Sequence, residues 1–530
     1  MKRLLSILLA FTLVLALAAC GSSGDSDKTS NPGTSQSGTS QPGNAGNSGD
    51  SASGSTLDVA LTNSFAGASA IGRENPYRFA TFSQVYEPLL CVVDGQYKSV
   101  LAESWEKIDD VTWKVKLFDG ITDSEGNAFT ADDVLWVLDM QKDNNHSMAD
   151  YIEKGTAKKL DDLTVQLTLN TDSEGCFYLL ATRMWFCTRK AYESSPDGMA
   201  TMPIGTGPYK CAEYVEGSSS KLVKRDDYWK TEDLPEISVA NFDTINISYL
   251  PEATQMSVAI DGGKVQFAGQ VNMNISQDVD ASDAQAIYMT NGTYNGMIFN
   301  MASDRIVSGN LALRQAICYA LDCAGLANGA YAGHAVMMNT FGMDTASDFN
   351  KSWTTDISYD LDKAKDLLKE AGYPNGVDIT LVSNNVGEDS IISELAQGYL
   401  AMAGINVNIN FVEPATQSTV LAEGDWDIAW VGGMAVSDMS VFYSNIYKDA
   451  QKGESFYGVS DPKLVSVYSD YYAPGGKTAE NLQALYEYTS ENLTWFPMFH
   501  KQVLFALDQQ YSDFVTHELY MNLPFLGTVS

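Results

Sequence analysis

The amino-acid sequence predicts a mixed α/β protein, on three observations. Short stretches in which apolar and polar residues alternate recur along the chain, the period of a half-buried strand. Between them run segments with apolar residues three and four apart, the period of an amphipathic helix. Capping residues, glycines and prolines fall at the ends of those segments. At 530 residues the chain exceeds what one core holds, so two or three domains are expected.

The chain opens with Lys2 and Arg3, followed by an apolar stretch from Leu4 to Leu17. That stretch is shorter than the roughly 20 residues a membrane-spanning helix needs, and has the length of a secretory signal core. Leu17-Ala18-Ala19-Cys20 follows and resembles the lipobox of bacterial lipoproteins. The resemblance implies a signal peptide over residues 1–20, cleavage before Cys20 and a diacylglyceryl group on its sulfur; ordinary signal cleavage is the alternative. Two acyl chains give durable anchoring. Residues 21–55 are almost purely Ser, Gly, Thr, Asn, Gln, Pro and Asp. They cannot bury enough apolar surface to offset the entropy of ordering, so they read as a disordered tether of roughly 30–35 Å.

Strands and helices then follow in order. Trp113, Val115 and Leu117 alternate with Thr112, Lys114 and Lys116; Leu163, Val165, Leu167 and Leu169 alternate with Thr164, Gln166 and Thr168. Between them Thr130, with Asp133 three residues on, opens a helix whose apolar face begins at Val134 and Leu135, a capping-box pattern. Leu313, Ala316, Ile317, Ala320 and Leu321 form another helical face, with Asn310 as its cap. A helix starts at Asp360, carries Leu361, Ala364, Leu368 and Ala371, and stops at Gly372 with Pro374 beyond. Ile379 and Leu381 begin a strand, and Val407, Ile409 and Phe411 another.

Composition excludes several functions. The net charge of −34, from 67 acidic against 33 basic residues, repels phosphate backbones, so no nucleic-acid partner is expected. It also disfavours adsorption to anionic lipid. Beyond Cys20 stand Cys91, Cys176, Cys187, Cys211, Cys318 and Cys323. None is spaced as a CxxC pair, and the four histidines are scattered, so no structural metal or cofactor is expected. Cys318 and Cys323 point to different helix faces; a Cys176–Cys187 bridge is left open.

At these residues a resemblance emerges. Val85-Tyr86-Glu87-Pro88-Leu89-Leu90, Leu101-Ala102-Glu103-Ser104-Trp105, Asp123-Ser124-Glu125-Gly126, Ile204-Gly205-Thr206-Gly207-Pro208-Tyr209, Arg225-Asp226-Asp227-Tyr228-Trp229 and Leu313-Arg314-Gln315-Ala316 follow one another in order. Together they resemble the extracytoplasmic solute-binding proteins of peptide and nickel ABC importers. Read locally, Gly205 to Pro208 is a turn whose glycines supply unusual dihedrals. The resemblance implies a periplasmic-binding-protein-like fold of two hinged lobes with an inserted subdomain. Lobe I is expected at 56–95, 200–297 and 497–530, the insertion at 96–199, and lobe II at 298–496. The crossovers are expected at Asn295 to Met301 and Trp495 to Phe499. A monomer is expected, lipid-anchored on the outer face of the cell membrane, with permease subunits and their ATPases as partners.

The same resemblance places the solute between the lobes, against Phe65, Tyr294, Asn295, Trp430, Gly433, Met434, Asp438, Phe499 and His500. For the aromatic residues, plain core packing is the alternative; for His500, a structural histidine. Peptide binders of the family carry a Trp where Gly433 stands and an aspartate where Val436 stands, and Asp438 is the nearest substitute. Dipeptide binders carry an arginine in the stretch corresponding to Glu388–Gln397, which here is acidic. A peptide or peptide-like solute leads, with a neutral glycan, a cationic small solute and a peptide-sensing role as alternatives. A secreted hydrolase is the remote alternative: no Gly-x-Ser-x-Gly elbow or His-Glu-x-x-His helix occurs, so no enzyme activity is expected.

Overall fold

The computed structural model describes residues 55–530 except 63–65, 73–75, 94–95, 145, 171–173, 231–239, 345, 347, 386, 414–415, 434–437, 448–461, 474, 512–513, 516–524 and 527–530. The expected signal peptide with Cys20, the tether up to residue 54, Phe65, Met434 and Val436 lie outside the described residues. Among the described residues no helix is long and apolar enough to cross a membrane.

One sheet of 11 strands organises the chain. Its members are Thr56–Leu61 (β1), Tyr209–Val215 (β2), Ser219–Lys224 (β3), Thr244–Tyr249 (β4), Phe267–Val271 (β5), Gln285–Phe299 (β6), Ala335–Met337 (β7), Val377–Asn384 (β8), Ile405–Val412 (β9), Ile428–Gly433 (β10) and Trp495–Leu507 (β11). The order is β9-β8-β10-β6-β11-β5-β1-β4-β3-β2, with β7 paired to β11. β1 runs parallel to β4 and β5, and β8 runs parallel to β9 and β10. The long strands β6 and β11 join the two ends. Gln285–Thr290 lies opposite Leu507–Gln502, and Tyr294–Ile298 opposite His500–Trp495. Where a crossover at Asn295 to Met301 is expected, the main register shift in β6 falls between Thr290 and Tyr294.

Between β1 and β2 the chain builds a separate four-stranded sheet, ordered Ala102–Lys107, Thr112–Leu117, Thr164–Thr168, Lys158–Asp161. Alternation places Trp113, Val115 and Leu117 in the core and leaves Lys114 and Lys116 exposed. The Trp113 ring stacks on Phe177 at 3.9 Å, which seats the helix Glu174–Arg183 on this sheet. The helix Ala131–Asp143 starts as its capping box requires: Asp133 Oδ2 accepts from the Thr130 backbone N–H at 2.8 Å. Asn310 and Asp360 likewise cap their helices, accepting from the amides of Leu313 and Lys363. Cys187 is a buried thiol outside any disulfide, so the Cys176–Cys187 bridge left open by the sequence is not formed.

The blocks that carried the resemblance converge on one knot. Arg225 has a fully buried side chain and donates to the carbonyls of Thr122, Asp123, Thr206 and Gly207 at 2.9–3.3 Å. Beside it the buried Glu87 accepts from Tyr228 Oη at 2.6 Å and Trp229 Nε1 at 3.2 Å. Gly205 and Gly207 are not in the left-handed region, which corrects the dihedral argument for them. A side chain on Gly205 would strike the carbonyl of Val85, and a Cβ on Gly207 would lie 2.5 Å from the carbonyl of Gln84. Close backbone approach, not torsion, requires glycine here.

His146 is 5% exposed, and its Nδ1 accepts from the Met148 amide at 3.2 Å. Burial, with the Arg78 charge nearby, holds its pKa down at about 4 against the ordinary 6.5. Between those values the unfolded chain binds the proton and the folded chain does not, so stability is complete above pH 6.5 and drains away towards pH 4. The effect amounts to about 3 kcal/mol. His146→Asn keeps a capping oxygen without the titration. Urea unfolding at pH 7 and pH 4 is expected to show the variant losing about 3 kcal/mol less than the parent chain; equal losses would refute the assignment.

Candidate functional site

Parallel strands with helical connections leave their carboxyl ends open as a crevice, where α/β sheets take ligands. Here β8 and β10 end side by side. The helix Gly387–Ala403 (α2) follows β8 and the helix Gln417–Glu423 (α3) follows β9; the helix Cys323–Tyr331 (α1) lies earlier in the chain. β6 runs antiparallel to β10, setting Tyr294 opposite Gly433, Asn295 opposite Gly432 and Met297 opposite Trp430. A cavity of about 450 Å³ opens at this junction. Thr293–Gly296 of β6, Trp430–Gly433 of β10, Asn384, Asp389 and Ile392 around the start of α2, Gln417 and Leu421 of α3, and Met498 and Lys501 of β11 line it.

Four of the expected contacts therefore meet: Tyr294, Asn295, Trp430 and Gly433. Trp430 is 8% exposed and its Nε1 donates to Ser393 Oγ at 2.7 Å. Ser393 Oγ is in turn 2.8 Å from the Asp389 carbonyl, so the indole is tied to the first turns of α2. Tyr294 is buried, its ring edge-on to Phe442 at 5.4 Å and to Trp495 at 6.1 Å. A Cβ on Gly433 would lie 2.5 Å from the Tyr294 hydroxyl. That contact explains a glycine where the family's peptide binders carry Trp: the Tyr294 ring takes the space. Asn295 Nδ2 donates to Tyr331 Oη at 3.1 Å, at the end of α1.

Phe499, His500 and Asp438 lie outside this lining. Phe499 is fully buried, edge-on to Tyr331 at 5.5 Å. His500 has Nδ1 at 3.2 Å from the Thr293 carbonyl and Nε2 at 3.3 Å from Asp344 Oδ1. Asp438 opens the helix Met439–Tyr447 (α4), accepting from the Val441 amide at 3.1 Å and from the Ser440 hydroxyl. It is engaged as a helix cap.

Asp389, Lys501, Asn384 and Gln417 are lining residues that sequence reasoning did not single out. The acidic stretch after β8 was noted there only for lacking an arginine. Its position at the start of the helix following a parallel strand is the signal that marks it. The electrostatics of this corner are negative. Burial pushes the Tyr331 phenol up, and the Glu388 and Asp389 carboxylates push it further. The cavity presents the β10 backbone at Trp430–Gly433, which runs past its pairing with β8, one indole wall, one carboxylate and one ammonium. That inventory is chemically suited to a polar solute.

Residues 96–454 match the bacterial extracellular solute-binding proteins, family 5, middle region. The glutathione-binding protein GsiB of Pectobacterium atrosepticum is 27% identical over 375 residues, 69% of each chain. The ABC transporter substrate-binding protein CtaP of Listeria monocytogenes superposes with a TM-score of 0.75 at 21% identity, over 89% of this chain and 99% of that one. The ABC transporter-associated periplasmic binding protein DppA of Helicobacter pylori, in complex with the peptide STSA, gives 0.68 at 20% identity, over 86% and 94%. These likenesses establish the periplasmic-binding-protein fold.

Proposed function

The chain belongs to the bacterial extracellular solute-binding proteins of family 5, which are transport components and not enzymes, and from that premise we propose that it captures a peptide-like solute and delivers it to an ABC importer. The cleft at the carboxyl ends of β8 and β10 carries this reading. The Trp430–Gly433 end of β10 runs past its pairing with β8 at Ile428 and Ala429 and offers backbone donors and acceptors that suit an extended peptide, and Trp430 supplies a flat wall. A structural relative, DppA, is in complex with the peptide STSA, and a glutathione-binding protein is among the sequence relatives.

In the same proposal β6 and β11, with their register shifts at Thr290–Tyr294, are the hinge between lobes bounded as the sequence suggests: 56–95, 200–297 and 497–530 against 298–496, with 96–199 inserted. Solute touching both lobes favours the closed state by its differential affinity. Cys20 tethers the mature chain to the membrane through residues 21–55, and the monomer meets its permease there. Thermal unfolding of the purified chain with di- to tetrapeptides, neutral oligosaccharides and nickel chelates tests the solute class. A bound peptide at a hundredfold its Kd is expected to add about 2.7 kcal/mol. Stabilisation by oligosaccharides or chelates alone would refute the peptide reading.

A further inference from the structure

The charges in the cleft assign a direction to the solute. Asp389 and Lys501 are the charged members of the described lining, and among the described residues neither forms an ion pair. Asp389 Oδ2 accepts from Asn384 Nδ2 at 2.7 Å. A carboxylate accepts only, so this bond fixes the Asn384 amide with its nitrogen towards Asp389. Asn384 Oδ1 is then left buried with no hydrogen-bond partner among the described residues. The bond from Asn384 Nδ2 holds the Asp389 carboxylate in place at the cavity lining.

The start of a helix ordinarily attracts anions. That of α2 carries about +0.5 of a charge from its aligned peptides, but Glu388 and Asp389 in its first turn bring two negative charges. The balance is about −1.5, so this end repels a carboxylate and attracts a cation. Lys501 stands on β11, separated from β8 by β10 and β6. Three strand spacings amount to about 14 Å. With the lysine side chain spanning part of that distance, the remainder suits an extended peptide of two or three residues at about 3.5 Å each.

We propose that the cleft holds its solute as a zwitterion in one orientation, the ammonium group against Asp389 at the start of α2, and the carboxylate towards Lys501 on β11. The proposal rests on the peptide-like reading above and adds the size class, the charge pattern and the specificity residues.

Calorimetric titration of the full chain with trialanine, N-acetyl-trialanine, trialanine amide and maltotriose tests it. In the parent chain N-acetylation and C-amidation are each expected to weaken binding at least tenfold. In Asp389→Asn the N-acetylation penalty is expected to vanish while the amidation penalty stays; in Lys501→Met the pattern reverses. Asp389→Glu and Lys501→Arg, which keep the charges, retain both penalties. A role for Asp389 confined to helix α2 would lower the melting point of the Asn variant and leave its N-acetylation penalty intact, which overturns the proposal. So does N-acetyl-trialanine binding the parent chain as well as trialanine does, an outcome that leaves the peptide reading standing. Crossed pairing, with Asp389→Asn removing the amidation penalty, overturns the direction. Binding of maltotriose without trialanine, or of none of the four, removes the peptide reading and this inference together.

Discussion

Replacing Arg225 by methionine is expected to lower the unfolding free energy by about 3–5 kcal/mol, the cost of breaking a buried charged network from one side. The carbonyls of Thr122, Asp123, Thr206 and Gly207 would lose their shared donor. The Thr206 carbonyl keeps Trp229 Nε1 and the Asp123 carbonyl keeps the Gly126 amide, while a buried acceptor left without a donor costs about 1–3 kcal/mol before relaxation. Lysine is expected to recover little, because a single ammonium cannot reproduce the planar fork that reaches two loops at once. Asp227 adds little to the ledger: its side chain is 66% exposed and solvent screens the pair. Urea midpoints of the parent, Arg225→Met and Arg225→Lys chains check this. A loss below about 1 kcal/mol in the methionine variant would show that the knot is not a stability element.

This knot marks the boundary of what the sequence discloses. The strand at Thr112–Leu117 and the caps at Thr130, Asn310 and Asp360 are legible because each depends on neighbours within a few positions. Arg225 is not, since its partner carbonyls at Thr122 and Asp123 lie 103 and 102 residues away. The spacing of Gly205 and Gly207 is visible in one sequence, yet its cause, the Gln84 and Val85 backbone pressed against them, is a tertiary fact. The same holds in the cleft. Asp389 and Lys501 stand more than a hundred positions apart in the sequence, and only the order β8-β10-β6-β11 brings them to one cavity. The capping role of Asp438 is legible too: an aspartate three residues before Val441 and ahead of the apolar Phe442 and Ile446 is a helix-cap pattern.

Trp430 joins the two levels, and replacing it by alanine is expected to damage both. The indole is buried on β10 while forming part of the cavity wall, so core packing and solute contact are not alternatives at this residue. Emptying the site costs about 3–5 kcal/mol, the usual range for a buried Trp cut to Ala. The loss removes the wall on which the proposed solute would rest and also the indole N–H that donates to Ser393, whose hydroxyl links it to the Asp389 carbonyl. Phenylalanine separates the effects. It keeps a ring in the cavity and gives up one hydrogen bond, for about 1 kcal/mol, so its unliganded melting point is expected to fall only modestly. Trialanine affinity is expected to stay within a few-fold in Trp430→Phe and to fall below detection in Trp430→Ala. Differential scanning calorimetry with and without trialanine separates these outcomes. An alanine variant that melts with the parent chain and still gains stability from trialanine would mean that neither the core nor the cleft depends on this ring. If Trp430→Phe instead loses binding as completely as Trp430→Ala, the Ser393 link to the first turns of α2 governs the site more than the ring face does.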